Sequence, residues 1–239
     1  MTKREPKPSN NEADPKKVGL LRRLVGRHSI GVDLDETRLL RAELEEARRA
    51  IRYDEKTGLL TDFGLEEARQ ELLEKSEGKG RFMLVQIDLD NFGQINKKYG
   101  QAKGDMAIKI VADILSNAFR RDGELISRSN KQGDEFRLIL PLMDDSKYEG
   151  GEKRESSETN SQYLTRILRT ELQRLIEFDK DQYDFMRDID FSVGDKTYDM
   201  PFITQGIDEL SKLPDAYMQN EKEKHRADRR DNMYGPYSI

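Results

Sequence analysis

The 239-residue chain contains no cysteine and only two histidines, His28 and His225. The first absence removes disulfides, thiolate metal sites and cysteine nucleophiles together. The second leaves too few imidazoles for a His-rich zinc site, so a metal would have to be held by oxygen ligands, which points to Mg2+, Mn2+ or Ca2+. No apolar run approaches the roughly 18 residues of a membrane span, and no signal-peptide pattern opens the chain. The expectation is therefore a cytoplasmic protein without a transmembrane segment. Basic residues number 42 against 47 acidic ones, a formal net charge of −5, which argues against a protein whose main role is coating nucleic acid. The Ser76–Gly80 loop has two glycines but lacks the spacing and the Lys-Ser/Thr ending of a phosphate-binding P-loop.

What the sequence does contain is ordered. Residues 1–17 are too polar to offset their ordering entropy and read as disordered. Val18 to Ile30 mixes Leu20, Leu21, Leu24 and Val25 with Arg22, Arg23 and Arg27, either a packing or linker helix or a basic amphipathic one, and 1–30 is taken as one basic N-terminal segment. From Asp35 to Tyr53, Leu40, Leu44, Ala47 and Ile51 recur at helical spacing between charged flanks, with Asp35 or Thr37 able to cap the start. Such a narrow stripe suits pairing with a second copy, or packing on its own domain. Residues 31–53 are read as this helix, 54–230 as the main domain and 231–239 as a frayed tail.

Within the main domain, Thr61 or Asp62 caps a helix to about Lys75. Phe82 to Ile87 is then an almost unbroken apolar run, the mark of a strand buried on both faces. Asp88 and Asp90 follow at its end, two residues apart and so on one face in extended geometry. Helices are expected over Phe92–Tyr99 and from about Gly104, with Asp90 or Asn91 capping the first. The segment from Leu125 to Leu140 reads as a hairpin whose tip holds Gly133, Asp134 and Glu135. Adjacent carboxylates on a tight turn are comfortable only when solvated or shared with a cation. An amphipathic helix from about Tyr163, a strand over Ile189–Gly194 and a last helix over 207–229 complete the order, the last with Lys222 and Arg226 four apart, a spacing that suits a polyphosphate. Strand, helix pair, hairpin, helix, strand, helix is a ferredoxin-like βαββαβ core, an α+β fold with a mostly antiparallel sheet. It brings Asp88 beside Asp134 as an oxygen-ligand pocket.

These motifs in this order resemble the GGDEF family of diguanylate cyclases, whose core is like the palm of nucleotide polymerases. The resemblance rests on Ile87-Asp88-Leu89-Asp90-Asn91-Phe92, Ile95-Asn96, Tyr99-Gly100, Gly104-Asp105 and Gly133-Asp134-Glu135-Phe136, and spans about 53–229. It implies condensation of two GTP into cyclic di-GMP and pyrophosphate across a homodimer, with two Mg2+ (or Mn2+) ions held by Asp88, Asp134 and the Leu89 carbonyl. Glu135 and Asp134 would be catalytic; Asn96 and Asp105 would read the guanine edge; Lys222, Arg226 and Gly133 would contact the nucleotide. Arg121 and Glu124 fall where the family's product-inhibition site has Arg-x-x-Asp. Control by an upstream sensor protein is expected. The sequence departs from the family at Lys131-Gln132, where a first glycine is usual, in a turn over Ser129–Gln132 about two residues longer, and at Gly93, where a phosphate-binding lysine is usual. Gln101 replaces a histidine and Thr61-Asp62 replaces Asn-Arg. The alternative these departures raise is a catalytically inactive GGDEF domain that binds GTP or a partner protein.

Overall fold

The structure, a computed structural model, describes residues 34–129, 133–142 and 157–233. The readings made for Val18–Ile30, for most of the enlarged turn and for the polar stretch after Met143 lie outside those residues. The chain divides into two units, residues 1–47 and 48–239. Helix α1 (Leu34–Arg52) begins in the first and ends in the second. Its described part begins at Leu34, which places Asp35 and Thr37 within the helix. Leu39, Leu40 and Leu44 in its first part, and Ile51 near its end, are all more than half exposed.

The second unit is built on a four-stranded antiparallel sheet of β1 (Arg81–Asp90), β2 (Leu125–Arg128), β3 (Glu135–Leu142) and β4 (Asp190–Asp199), in the order β2-β3-β1-β4. This is the expected α+β core. β1 is central, and its residues alternate between two covered faces. Met83, Val85, Ile87 and Leu89 join a cluster with Ile108, Val111 and Leu115 of α4 (Gln101–Ala118) and Leu164, Leu168 and Leu172 of α5 (Asn160–Phe178). Phe82 and Leu84 face the other way, against Leu65 of α2 (Asp62–Lys75) and Met200, Ile203 and Leu210. Each such side chain contributes about 1.5–3 kcal/mol on burial. A one-residue slip of β1 would carry Asp88 and Asp90 into the first cluster, so the apolar pattern fixes where the acids point.

The local signals mostly hold. Thr61 caps α2, its Oγ1 accepting from Gly64 N at 3.0 Å, and α2 ends at Lys75. Helix α3 (Phe92–Tyr99) is present, but its N-cap Asn91 is left-handed (φ 68°) and makes no side-chain cap bond, and Asp90 bonds elsewhere. α4 begins at Gln101, three residues earlier than expected. β4 runs past Gly194 to Asp199, because β1 supplies partners along its whole length. A short helix α6 (Lys180–Tyr183) and a 3-10 turn over Asp184–Asp188 were not legible beforehand; Phe185 and Met186 there are buried, and Phe185 meets Tyr99 edge-on at 6.2 Å. The last helical region breaks at Ser211, not Pro214, into α7 (Ile207–Leu210) and α8 (Lys212–Met233). α8 lies tight against β4 at Gly194, where a Cβ would overlap the Pro214 carbonyl oxygen and crowd Met218 N. No helix among the described residues is long and apolar enough to cross a membrane.

Candidate active site

Along the second face of β1 the side chains change character. Phe82 and Leu84 are apolar, and Gln86, Asp88 and Asp90 continue the same row, all 1% exposed. Burying three polar groups in a row is costly unless each finds a partner. Gln86 finds two, accepting from Arg137 Nε at 3.1 Å and donating to Asp215 Oδ1. Asp90 Oδ2 accepts from Ser192 Oγ at 2.9 Å and lies 2.7 Å from His225 Nδ1. Asp88 is different. Lys222 Nζ of α8 stands 2.6 Å from its Oδ2, yet neither carboxylate oxygen takes part in a directed hydrogen bond.

The hairpin delivers two more acids to this spot. Asp88 lies directly opposite Glu135 in the β1–β3 register, so the two side chains share a face. Leu89 N donates to the Asp134 carbonyl at 3.2 Å, which ties the end of β1 to the hairpin tip. Gly133 occupies a left-handed conformation (φ 71°), one that a glycine adopts without strain. Its carbonyl accepts from Arg128 Nε and Nη2 at 2.9 and 2.7 Å, and Arg128 Nη1 also reaches Asp54 at 3.2 Å. Arg128 thus clamps the tip from behind. Nothing in the sequence singled it out beyond its place at the end of β2.

Crowding of like charge shows in the proton affinities. Burial, then Asp88 and Asp215, push the Glu135 carboxyl up to about 7. Burial and Asp88 raise Asp134 as well. Buried carboxylate oxygens without hydrogen-bond donors, beside two acids whose proton affinities are raised, are the kind of donor set a hard divalent cation would complete. Asp88, Asp134 and Glu135 are the acids that would hold such an ion, and Lys222 stands beside Asp88 as its present counter-charge. Among the described residues, the group whose ligand atoms lie within 4.8 Å of one another is a different one, Asp90, Asp190 and His225. There Arg169 already binds both oxygens of Asp190, at 2.6 and 2.8 Å, although Asp90 Oδ1 has no partner.

The remaining candidates are distributed around the sheet. Asn96 of α3 has its Oδ1 buried and unpartnered against Gly104, where any Cβ would overlap it. The neighbouring Asp105 pairs with Lys56. Arg226 is exposed one turn beyond Lys222. In the sequence His225 bears only on zinc; its three-residue spacing from Lys222 is the signal that both share a helix face. Arg121 and Glu124 lie at the opposite end of the strands, where Glu124 Oε2 accepts from Arg121 N at 2.8 Å. They line a cavity of about 810 Å³ together with Arg52, Lys75, Lys79 and Arg81.

Three comparisons bear on this arrangement. A family model described as "Diguanylate cyclase, GGDEF domain" matches residues 51–228. The chain is 31% identical to the diguanylate cyclase DgcP of Pseudomonas aeruginosa over 107 residues, 44% of this chain and 16% of that protein. It is 33% identical over 99 residues to the cyclic di-GMP phosphodiesterase NbdA of the same organism, 41% of this chain and 12% of that protein. The matched stretch is thus less than a fifth of either relative's length. Among solved structures, the coiled coil and GGDEF domain of DgcB from Caulobacter crescentus, in complex with c-di-GMP, superposes with a TM-score of 0.55 at 20% identity, over 86% of this chain and 95% of that one. The diguanylate cyclase SiaD of Pseudomonas aeruginosa, in complex with its activator SiaC, gives 0.50 at 22% identity, over 87% and 72%. Both likenesses speak for the fold.

Proposed function

Because the chain belongs to the GGDEF domain family, we propose that it is a diguanylate cyclase, joining two GTP molecules into cyclic di-GMP with loss of two pyrophosphates. The observation that carries this reading is the convergence of Asp88, Asp134 and Glu135 at the end of β1, with the Asp88 oxygens buried and without hydrogen bonds. Asp88, Asp134 and the Leu89 carbonyl would hold Mg2+ or Mn2+. Held there, such an ion would supply positive charge to the triphosphate during nucleotidyl transfer.

The chain's own residues do the rest. Glu135, whose carboxyl gains and loses its proton near neutrality, accepts the proton of the 3′-hydroxyl. That oxygen attacks the α-phosphorus of the second GTP and pyrophosphate leaves; the reciprocal attack closes the ring. Lys222 passes from Asp88 to the triphosphate, joined by exposed Arg226. Gly133, without a side chain, leaves the backbone of the tip open to the nucleotide. Asn96 and Asp105 take the guanine edge. Since one domain presents one GTP, the reaction needs a second copy, and the exposed leucines of α1 suit that pairing. Arg121 and Glu124, in their cation-lined cavity, would bind product as a brake. Control through a partner protein agrees with the activator seen on SiaD, and the absence of a long apolar helix from the described residues agrees with a cytoplasmic location.

A second reading, an inactive GTP-binding or protein-binding module, is favoured by Gly93. It sits exposed on α3 and offers no side chain to a phosphate. Chromatography of nucleotides after incubation of the protein with GTP and Mg2+, beside Glu135→Ala, separates the two. Cyclic di-GMP from the wild type alone supports the cyclase. GTP retained without turnover at high protein concentration overturns it in favour of the module.

A further inference from the structure

Lys56 lies in the turn between α1 and α2, and its Nζ is 2.5 Å from Asp105 Oδ1 on α4. The two are 49 residues apart in sequence, and each side chain is about a third exposed. A surface pair of this kind contributes about 0–1 kcal/mol to stability, so stability alone does not account for it.

The turn itself is held from several sides. Asp54 Oδ1 accepts from Thr57 N at 3.0 Å and Thr57 Oγ1 at 2.7 Å. Asp54 N donates to the Leu59 carbonyl at 2.8 Å, and Gly58 N to the Asp54 carbonyl at 2.7 Å. Arg128 bridges Asp54 to the Gly133 carbonyl at the hairpin tip. Lys56 is therefore presented to Asp105 from a fixed loop coupled to the catalytic hairpin. The result is an ammonium donor set directly beside two carboxylate acceptors, with the unpartnered Asn96 Oδ1 against the residue preceding Asp105.

We propose that Lys56 is a specificity-determining residue that donates to O6 of the guanine base. The proposal rests on the reading of Asp105 as a guanine contact. Along its Watson–Crick edge guanine presents two donors, the 2-amino group and N1–H, followed by the acceptor O6. The two Asp105 oxygens followed by Lys56 Nζ are the complementary series. Adenine presents an acceptor at N1 and a donor at N6, so both the carboxylate and the ammonium would face groups of their own kind. A site whose hydrogen-bonding groups are left unmatched by the wrong base discriminates more strongly than one that relies on shape alone. Lys56 thus adds a repulsive element against adenine as well as an attractive one for guanine.

The test is calorimetric binding, in Mg2+, of α,β-methylene analogues of GTP, ITP and ATP to the full chain carrying Lys56→Met or Lys56→Arg. Binding needs no turnover, so it does not depend on catalysis. Lys56→Met is expected to weaken the GTP and ITP analogues by a similar factor, about 10- to 100-fold, because both bases carry O6 and N1–H. The ATP analogue should bind as before or more tightly, and the thermal midpoint should stay within about 2 °C of wild type. Lys56→Arg, which keeps a cationic donor, should retain most of the GTP affinity. Equal GTP affinity in the wild type and Lys56→Met would overturn the role of Lys56 and leave the cyclase reading standing. A wild type that binds no guanine analogue would overturn the base-reading site and this inference with it.

Discussion

Lys222 Nζ stands 2.6 Å from Asp88 Oδ2, one turn of α8 before His225 meets Asp90 at 2.7 Å. One helix thus docks on two acids of one strand face through a lysine and a histidine. The Asp88 contact has a consequence for metal binding. A divalent ion on Asp88 must compete with the ammonium already beside it, and a phosphate must draw that ammonium away.

Lys222→Met should therefore act in opposite directions on the two ligands. Removing the ammonium leaves Asp88 buried without its charge partner, so stability measured in EDTA should fall by about 2–4 kcal/mol. Affinity for Mn2+ alone should rise several-fold, while affinity for the GTP analogue should fall about tenfold or more. Titration calorimetry reads both; a fall in both affinities would mean that Lys222 only supports the helix.

Glu135 makes a prediction about pH. Its folded carboxyl holds a proton up to about 7, against an ordinary value of 4.5. The folded state therefore binds more protons than the unfolded state between those values, and stability contributed at this position falls as pH rises through that window. Glu135→Gln removes the cost. It should be more stable than wild type by about 1–3 kcal/mol at pH 8 and indistinguishable at pH 4, in urea unfolding at each pH without added metal.

Arg128 is the clamp behind the hairpin tip, and Asp54 is its anchor. Burial alone would raise the Asp54 carboxyl, but the Thr57 hydroxyl and Arg128 overcome this and hold it below its ordinary 3.8. Its contribution is therefore complete above about pH 4 and is lost as pH falls through the lowered folded value. Arg128→Met should cost about 2–4 kcal/mol near neutrality, since it removes the charge partner of Asp54 and both donors to the Gly133 carbonyl. Hydrogen exchange should show faster opening of the β2–β3 hairpin than of β1.

Gly194 sets how closely α8 approaches the sheet. A Cβ there would overlap the Pro214 carbonyl oxygen and crowd Met218 N. Gly194→Ala should destabilise by about 2 kcal/mol or more and displace Lys222 from Asp88, so metal-free stability and nucleotide affinity should fall together. Retained nucleotide affinity would show that α8 adjusts without moving Lys222.

The sheet was legible because its apolar residues alternate or run together at strand length: Phe82–Ile87 predicted β1, and Phe136–Leu140 with Ile126 predicted the hairpin. Thr61 was legible as a cap, since an N-cap needs only a side-chain oxygen three residues before the amide it bonds. Asp88 stood out as an acid ending an apolar strand. Arg128, Lys56 and His225 did not stand out, because each works through a partner 74, 49 or 135 residues away. Charged side chains on polar segments carry no periodic signal that names such partners. The end of β4 at Asp199 was missed for the same reason, as Thr197 and Tyr198 are strand residues through their pairing with β1.

By itself, the sequence determined that no metal here could be held by thiolates and that β1 must be buried on both faces. It also put two acids of one spacing at the end of that strand and a glycine with two further acids at a turn. These follow from residue type and from the two-residue period of extended chain. Only the tertiary structure decided that Asp88 would face Glu135, that Lys222 would stand beside an Asp88 carboxylate without hydrogen bonds, and that Lys56 would meet Asp105. Strand register and the close approach of α8 at Gly194 set those meetings, and both are properties of packing between distant segments.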